Sequence, residues 1–246
     1  MGTLLLIHGF PLSARMWEAQ FELANRGWRV VAPQLRGFDG PAAASVATSV
    51  DDFAADTIDL LDALHIEDAV VGGLSMGGYI AFAMFRHAPR YFRGLILADT
   101  RAQGDTPEAV EGRERMIQLV RDKGPAGAAE ELLPKLLGET TRAARPDVVE
   151  AVRRLILSNS TETIVGALTA LMTRPDATPV LSKIRCPTLV MVGDQDVLTP
   201  PVLSEEIKRG IAQAELAVLP GAGHMSNMEQ PAAFNHTLAR FLEYQV

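Results

Sequence analysis

Three glycine-bearing stretches of this chain carry a serine, a pair of aspartates and a histidine in an order that suits nucleophilic catalysis. Gly73-Leu74-Ser75-Met76-Gly77 has the pattern G-x-S-x-G and lies between an apolar run, Ala69–Gly72, and a helical segment ending near Pro89. A serine at a sharp strand-to-helix turn adopts a strained backbone, and flanking glycines leave room for it. The turn also sets Ser75 at a helix N-terminus, where free N–H groups stabilise negative charge. A hydroxyl is a weak nucleophile; it needs a base, and the base needs an orienting acid. Of the five histidines, His65 and His87 fall at helix ends and His236 within the last helical segment. His8 ends the first apolar run, where it can buttress the loop that follows. His224 is set apart by its context, Pro220-Gly221-Ala222-Gly223-His224, directly after the last apolar run. For the acid, Gly193-Asp194-Gln195-Asp196 follows the run Thr188–Val192.

The elements that must position these groups are legible as short apolar runs. Candidate strands are Thr3–Ile7, Arg29–Ala32, Ala69–Gly72, Gly94–Ala98, Thr188–Val192 and Glu215–Leu219. Runs this continuous fit strands buried on both faces, as in a parallel sheet covered by helices. Ser13–Arg26 reads as a helix closed by Gly27, and Ser49-Val50-Asp51-Asp52 resembles a capping box ahead of Phe53, Leu60, Leu61 and Leu64. Such alternation predicts a doubly wound α/β sheet, with ligands at the carboxyl ends of its strands. The alternation stops after Ala98. From Arg101 to Arg185 the pattern is helical, in segments Pro107–Lys123, Ala126–Leu137, Asp147–Leu157 and Ser160–Thr173, the last with a capping signal from Asn159 and Glu162. We expect a core of residues 1–100 and 181–246, with residues 101–180 inserted as a helical cap. No Phe, Trp or Tyr occurs between Phe92 and Phe234, so the cap must pack with aliphatic side chains and Met.

Composition bounds the function. The 246 residues are 48% hydrophobic and 22% charged, with a net charge of −7 and no basic block, which counts against nucleic acid or an anionic membrane as partner. One cysteine, Cys186, rules out an internal disulfide and fits a reducing compartment. No run approaches the ~18–20 apolar residues of a membrane span. Met1–Ile7 lacks the basic start and cleavage site of a signal peptide, so a cytoplasmic location is expected. No cluster has metal-ligand spacing, and Gly73–Gly78 lacks the lysine of a phosphate-binding loop. Neither cofactor nor metal is expected, and the partner is a small-molecule substrate.

With these motifs in place, the chain resembles the α/β-hydrolase superfamily over nearly its whole length. His8-Gly9-Phe10-Pro11 looks like the family's oxyanion loop, Pro33–Phe38 like its second strand loop, and Gly73–Gly77 like its nucleophile elbow. Gly193–Pro200 and Gly221–Glu229 look like its acid and base loops. The second aspartate is the usual member, which selects Asp196 over Asp194; Asp194 is expected to fix its own loop, and Asp99 is a rival acid. Phrases at His8–Trp17, Ala98–Arg101 and Asp105–Glu108 are similar to the carboxylesterase and 3-oxoadipate enol-lactonase branch. Two departures stand out. The first strand starts at Thr3 without the family's N-terminal hairpin, which implies about six strands and an exposed edge. Gln34 replaces a usual Asp, at the cost of a local hydrogen bond.

The resemblance implies a serine esterase working through an acyl-enzyme, with Ser75 as nucleophile, His224 as base, Asp196 as acid, and the backbone N–H groups of Phe10 and Met76 as oxyanion hole. An enol-lactonase-like lactone hydrolase, a carbon–carbon bond hydrolase, a perhydrolase or a hydroxynitrile lyase would keep the same triad. A small-molecule binding protein on the same fold is the non-enzymatic alternative, and a dehalogenase is excluded by serine at position 75. For substrate contacts, Trp17 and Phe38 are candidates for the pocket mouth, and Met116, Met172 and Met225, with Met76, for an adaptable apolar wall. Arg101 either meets a substrate carboxylate or pairs with Asp99 or Asp105 at the cap hinge. The second reading favours short to medium neutral acyl esters.

Overall fold

The sheet takes its form from strands apolar on both faces. The computed structural model describes residues 2–40 and 46–246; residues 1 and 41–45 lie outside it. In chain order the strands are β1 (Thr3–Ile7), β2 (Arg29–Val31), β3 (Ala69–Leu74), β4 (Phe92–Ala98), β5 (Thr188–Gly193) and β6 (Ala214–Leu219). The α-helices are α1 (Val50–Ala63), α2 (Met76–His87), α3 (Pro107–Leu136), α4 (Glu139–Ala144), α5 (Pro146–Leu157), α6 (Thr161–Met172), α7 (Thr178–Leu181), α8 (Pro201–Gly210), α9 (Ser226–Glu229) and α10 (Pro231–Tyr244). A 3-10 helix, Ala14–Arg26, joins β1 to β2 and ends on Gly27 at φ 85°. Among the described residues the sheet has six strands in the order β2-β1-β3-β4-β5-β6, every neighbour parallel. The order reverses between β1 and β3, and that switch opens a crevice at the strand carboxyl ends.

Side-chain alternation splits the core into two layers. Leu5, Ile7, Val71, Leu95, Leu97 and Val190 face α1 and α2 through Phe53, Leu61, Ile80 and Phe82. Leu4, Leu6, Val70, Ile96 and Met191 face the 3-10 helix and α10 through Trp17, Leu23, Phe234 and Leu238. β1, β3 and β5 are buried throughout, whereas β2 and β6 at the edges are partly exposed. Each large aliphatic side chain buried in these layers is worth about 1.5–3 kcal/mol. The capping box holds: Ser49 Oγ accepts from Asp52 N, and Asp52 Oδ2 accepts from Ser49 N, both at 3.0 Å.

Helices α3–α7 are inserted between β4 and β5. Gly124, at φ 63° and ψ −165°, breaks α3 where the sequence reading separates two helices. The six-residue α4 escapes that reading because Glu139–Ala144 carries no apolar period. Ser160, not Asn159, caps α6, accepting from Thr163 N. Asn159 is buried and turned inward, donating to Pro11 O at 2.8 Å and Leu155 O at 2.9 Å and accepting from Asp39 N at 2.8 Å. Gln34 Oε1 accepts from Ala14 N at 3.0 Å. Among the described residues no single helix is long and apolar enough to cross a membrane.

Candidate active site

Between the end of β3 and the start of α2 the chain turns on Ser75 alone, at φ 54° and ψ −113°. A β-carbon on Gly77 would sit 2.1 Å from Ile7 O, so only glycine lets α2 approach β1 this closely. The turn is tied to the end of β4 from both sides: Ser75 N donates to Ala98 O, and Thr100 Oγ1 donates to Ser75 O, both at 2.9 Å. Among the described residues, the amides of Phe10 and Met76 find no acceptor. Ser75 is thus a strained, partly exposed non-glycine residue at a helix N-terminus.

His224 reaches the same crevice from the loop after β6. Its Nδ1 lies 2.8 Å from Asp196 Oδ2 and 3.2 Å from Thr199 Oγ1. Asp196 accepts further bonds from Leu198 N at 2.8 Å and Thr199 N at 2.9 Å on Oδ1, and from the Thr199 hydroxyl at 2.6 Å on Oδ2. Burial would raise the Asp196 pKa, but the adjoining imidazole and these donors outweigh it and hold it at about 2. Burial works against protonation of His224, yet Asp196, with Asp99 and Glu229 behind it, raises its affinity for a proton. The imidazole is therefore strengthened as a base.

Asp99, at the end of β4 and fully buried, accepts from Gly193 N at 2.9 Å and from the Ser226 hydroxyl. Burial, followed by repulsion from Asp196, pushes its carboxyl well above the usual range. Asp194 points away and accepts from Gly221 N at 2.8 Å, fastening the neighbouring loop and not its own. His8 is buried, donates from Nδ1 to Gly9 O at 3.1 Å and accepts at Nε2 from Leu35 N at 3.3 Å. Burial lowers its pKa to about 4, and it buttresses the loop as a neutral ring.

Ser75 and His224 line one cavity of about 280 Å³, together with Phe10, Arg101, Met116 and Thr199. Five side chains offered as substrate contacts lie outside the wall of this cavity. Trp17 is buried against Phe234, ring centres 6.0 Å apart, and Phe38 meets His8 edge-on at 4.9 Å. Met225 is fully buried, Met172, at the end of α6, is not in the cavity wall, and the Met76 side chain is in the core. The wall instead includes Tyr79, Arg113, Lys135, Leu136, Leu168 and Leu198, which the sequence reading passed over. Arg101 does pair with Asp105, at 2.5 Å, but it shares that buried carboxylate with Arg113 and Arg174. Its Nε is buried and finds no hydrogen-bond partner among the described residues. Thr199 and Glu229 were also missed, although both lie inside the two loop motifs.

A model of the alpha/beta hydrolase family matches residues 4–237. The chain is similar to a thermophilic esterase from Thermogutta terrifontis, solved with malate bound, at 41% identity and a TM-score of 0.94, covering 99% of this chain and 90% of that one. It is 29% identical to 3-oxoadipate enol-lactonase 2 of Acinetobacter baylyi, over 96% of this chain and 86% of that protein. The enol-lactonase of Burkholderia xenovorans LB400 superposes with a TM-score of 0.90 at 26% identity, covering 98% of this chain and 91% of that one.

Proposed function

The chain belongs to the alpha/beta hydrolase family, and on that premise we propose that it is a serine hydrolase cleaving carboxylic esters of small acyl groups. One observation carries the reading: Ser75 and His224 share a cavity while Asp196 holds the far nitrogen of His224 at 2.8 Å. Ser75 Oγ attacks the ester carbonyl as His224 Nε2 takes its proton, and Asp196 fixes the tautomer and stabilises the imidazolium. The amides of Phe10 and Met76 receive the oxyanion, each worth about 3–4 kcal/mol. His224 returns the proton to the leaving alcohol, and water, activated by the same imidazole, releases the acid. Residues 101–180 serve as a cap over a core of residues 1–100 and 181–246. At about 280 Å³ the cavity is at the small end of ligand sites, which suits short acyl groups. The enzyme acts in the cytoplasm on small molecules.

A second reading, a lactone or ester bearing a free carboxylate, is favoured by the wall's charge. Arg101, Arg113 and Lys135 face the cavity, and among the described residues no acidic side chain lines it. The experiment compares neutral p-nitrophenyl esters with carboxylate-bearing lactones, in wild type and in Ser75→Ala, Arg101→Ala and Arg113→Ala. Ser75→Ala should remove turnover while keeping the fold; more than a few per cent of residual hydrolysis overturns the first reading. A preference for the anionic lactone that both arginine variants lose selects the second.

A further inference from the structure

Glu229 is buried and takes no part in the chemistry derived above. Its Oε1 accepts from Gly223 N at 2.9 Å and Met225 N at 3.1 Å, the two amides that bracket His224. Its Oε2 accepts from Gly138 N at 2.8 Å, in the helical insertion between α3 and α4. The insertion is bolted to the catalytic loops at the same place. Met225 N donates to Leu136 O at 3.1 Å, and Gln195 exchanges two bonds with Thr140, at 3.0 and 2.7 Å. Contact is at backbone distance: a β-carbon on Gly223 would lie 2.2 Å from Gly138 N, and one on Gly138 would lie 2.8 Å from Gly223 N. Leu136, on this joint, also lines the cavity beside His224.

We propose that Glu229 is a positioning residue: its carboxylate clamps the backbone on both sides of His224 and locks the Gly138 turn of the insertion to it, so that base and cavity wall are set as one unit. The role rests on the hydrolase reading for its effect on turnover, but the clamp itself does not. A three-acceptor carboxylate also places negative charge behind His224, where Asp196 from the β5 loop and Asp99 from β4 act in the same sense and where Arg101, Arg113 and Lys135 in the wall oppose it. Glu229→Gln separates these parts. One amide oxygen still accepts from Gly223 and Met225, while the NH2 group faces Gly138 N and breaks the link to the insertion.

The test measures steady-state hydrolysis of p-nitrophenyl acetate and the NMR titration of the His224 imidazole in wild type, Glu229→Gln and Glu229→Asp, with thermal melts to confirm folding. In Glu229→Gln we expect kcat to fall about 10- to 100-fold, with KM changed less than about threefold, because misplacing the base by a fraction of an ångström costs rate and not binding. The His224 titration should move to lower pH, which loss of packing alone does not produce. Glu229→Asp keeps the charge and shortens the reach, so its titration should stay near wild type while kcat falls. Wild-type kcat and titration in Glu229→Gln overturn the proposal; if that variant does not fold, unchanged kcat in Glu229→Asp does so. A wild type that hydrolyses no ester, but whose His224 titration shifts in Glu229→Gln, sinks the hydrolase reading and leaves the clamp standing.

Discussion

The two aspartates of the loop after β5 are two residues apart and have opposite surroundings. Asp196 is turned inward to His224 and Thr199, and Asp194 outward to Gly221 N. Asp196→Asn should lower kcat by about 10⁴-fold, since an amide there favours the wrong tautomer of the base. Asp194→Asn loses at most one backbone bond, about 1 kcal/mol of stability, and should retain turnover within about tenfold. Kinetics on the two folded variants decide between them. The pH profile follows from the same pair. A base must be neutral to act, and His224 is raised above 6.5 by its carboxylate neighbours, so the acidic limb of kcat/KM should lie above pH 6.5. Removing the Asp196 charge should move that limb down; a limb below 6.5 in wild type contradicts the electrostatics.

Among the elements, the β1 end and the elbow depend on one another. Because a β-carbon at Gly77 meets Ile7 O at 2.1 Å, Gly77→Ala must push α2 off β1 or distort Ser75. Loss of activity with a melting temperature lowered by several degrees is the expected outcome. His8, on the same strand end, is a buried neutral ring whose pKa is about 4 when folded and 6.5 as an isolated group. Below pH 6.5 the unfolded chain takes up this proton and the folded one does not. Stability is thus lost as pH falls from 6.5 towards 4, by about 3 kcal/mol in all. His224, raised when folded, contributes in the opposite direction, its stabilisation present below 6.5 and lost as pH rises. Urea unfolding of wild type and His8→Gln across pH 7 to 4.5 isolates the His8 part: the variant should show the flatter acid loss.

At the scale of the whole molecule, the insertion is joined to the sheet through buried polar hubs as well as aliphatic packing. Asp105 is one, its side chain without exposure, gathering Arg101 after β4, Arg113 in α3 and Arg174 after α6. Arg174 also stacks over the Tyr79 ring of α2 at 4.2 Å. Asp105→Asn leaves three guanidiniums without their shared charge. Allowing for the partial exposure of two of them, the cost should be about 2 kcal/mol, a fall of about 4–8 °C in Tm for a domain of this size. An unchanged melt by calorimetry would show that the hub is electrostatically idle. A second hub joins the chain ends, where Gln20 donates to Asn235 Oδ1 at 2.7 Å and Asn227 donates to Met16 O at 2.8 Å.

By itself the sequence determined the strands, their parallel pairing in a doubly wound sheet and the three loops bearing Ser75, Asp196 and His224. These rest on short-range physics: a continuous apolar run is buried on both faces, and a glycine beside a serine permits a strained turn. What the insertion brings to the sheet was decided only by tertiary structure. Asn159 has the residue type of a helix cap, yet it donates to Pro11 O, supplied by a loop far away in the chain, and Ser160 takes the cap instead. Trp17, Phe38 and Met225 have the size and softness of pocket residues, but side-chain direction turns them into the core. Arg113, Lys135 and Leu136 join Ser75 and His224 in one cavity wall only because α3 packs over it, and Glu229 gains its third donor, Gly138 N, only where two distant loops converge. Local backbone preference is written in neighbouring residues; a wall or a clamp is written in which elements dock, and that depends on the packing of the whole chain.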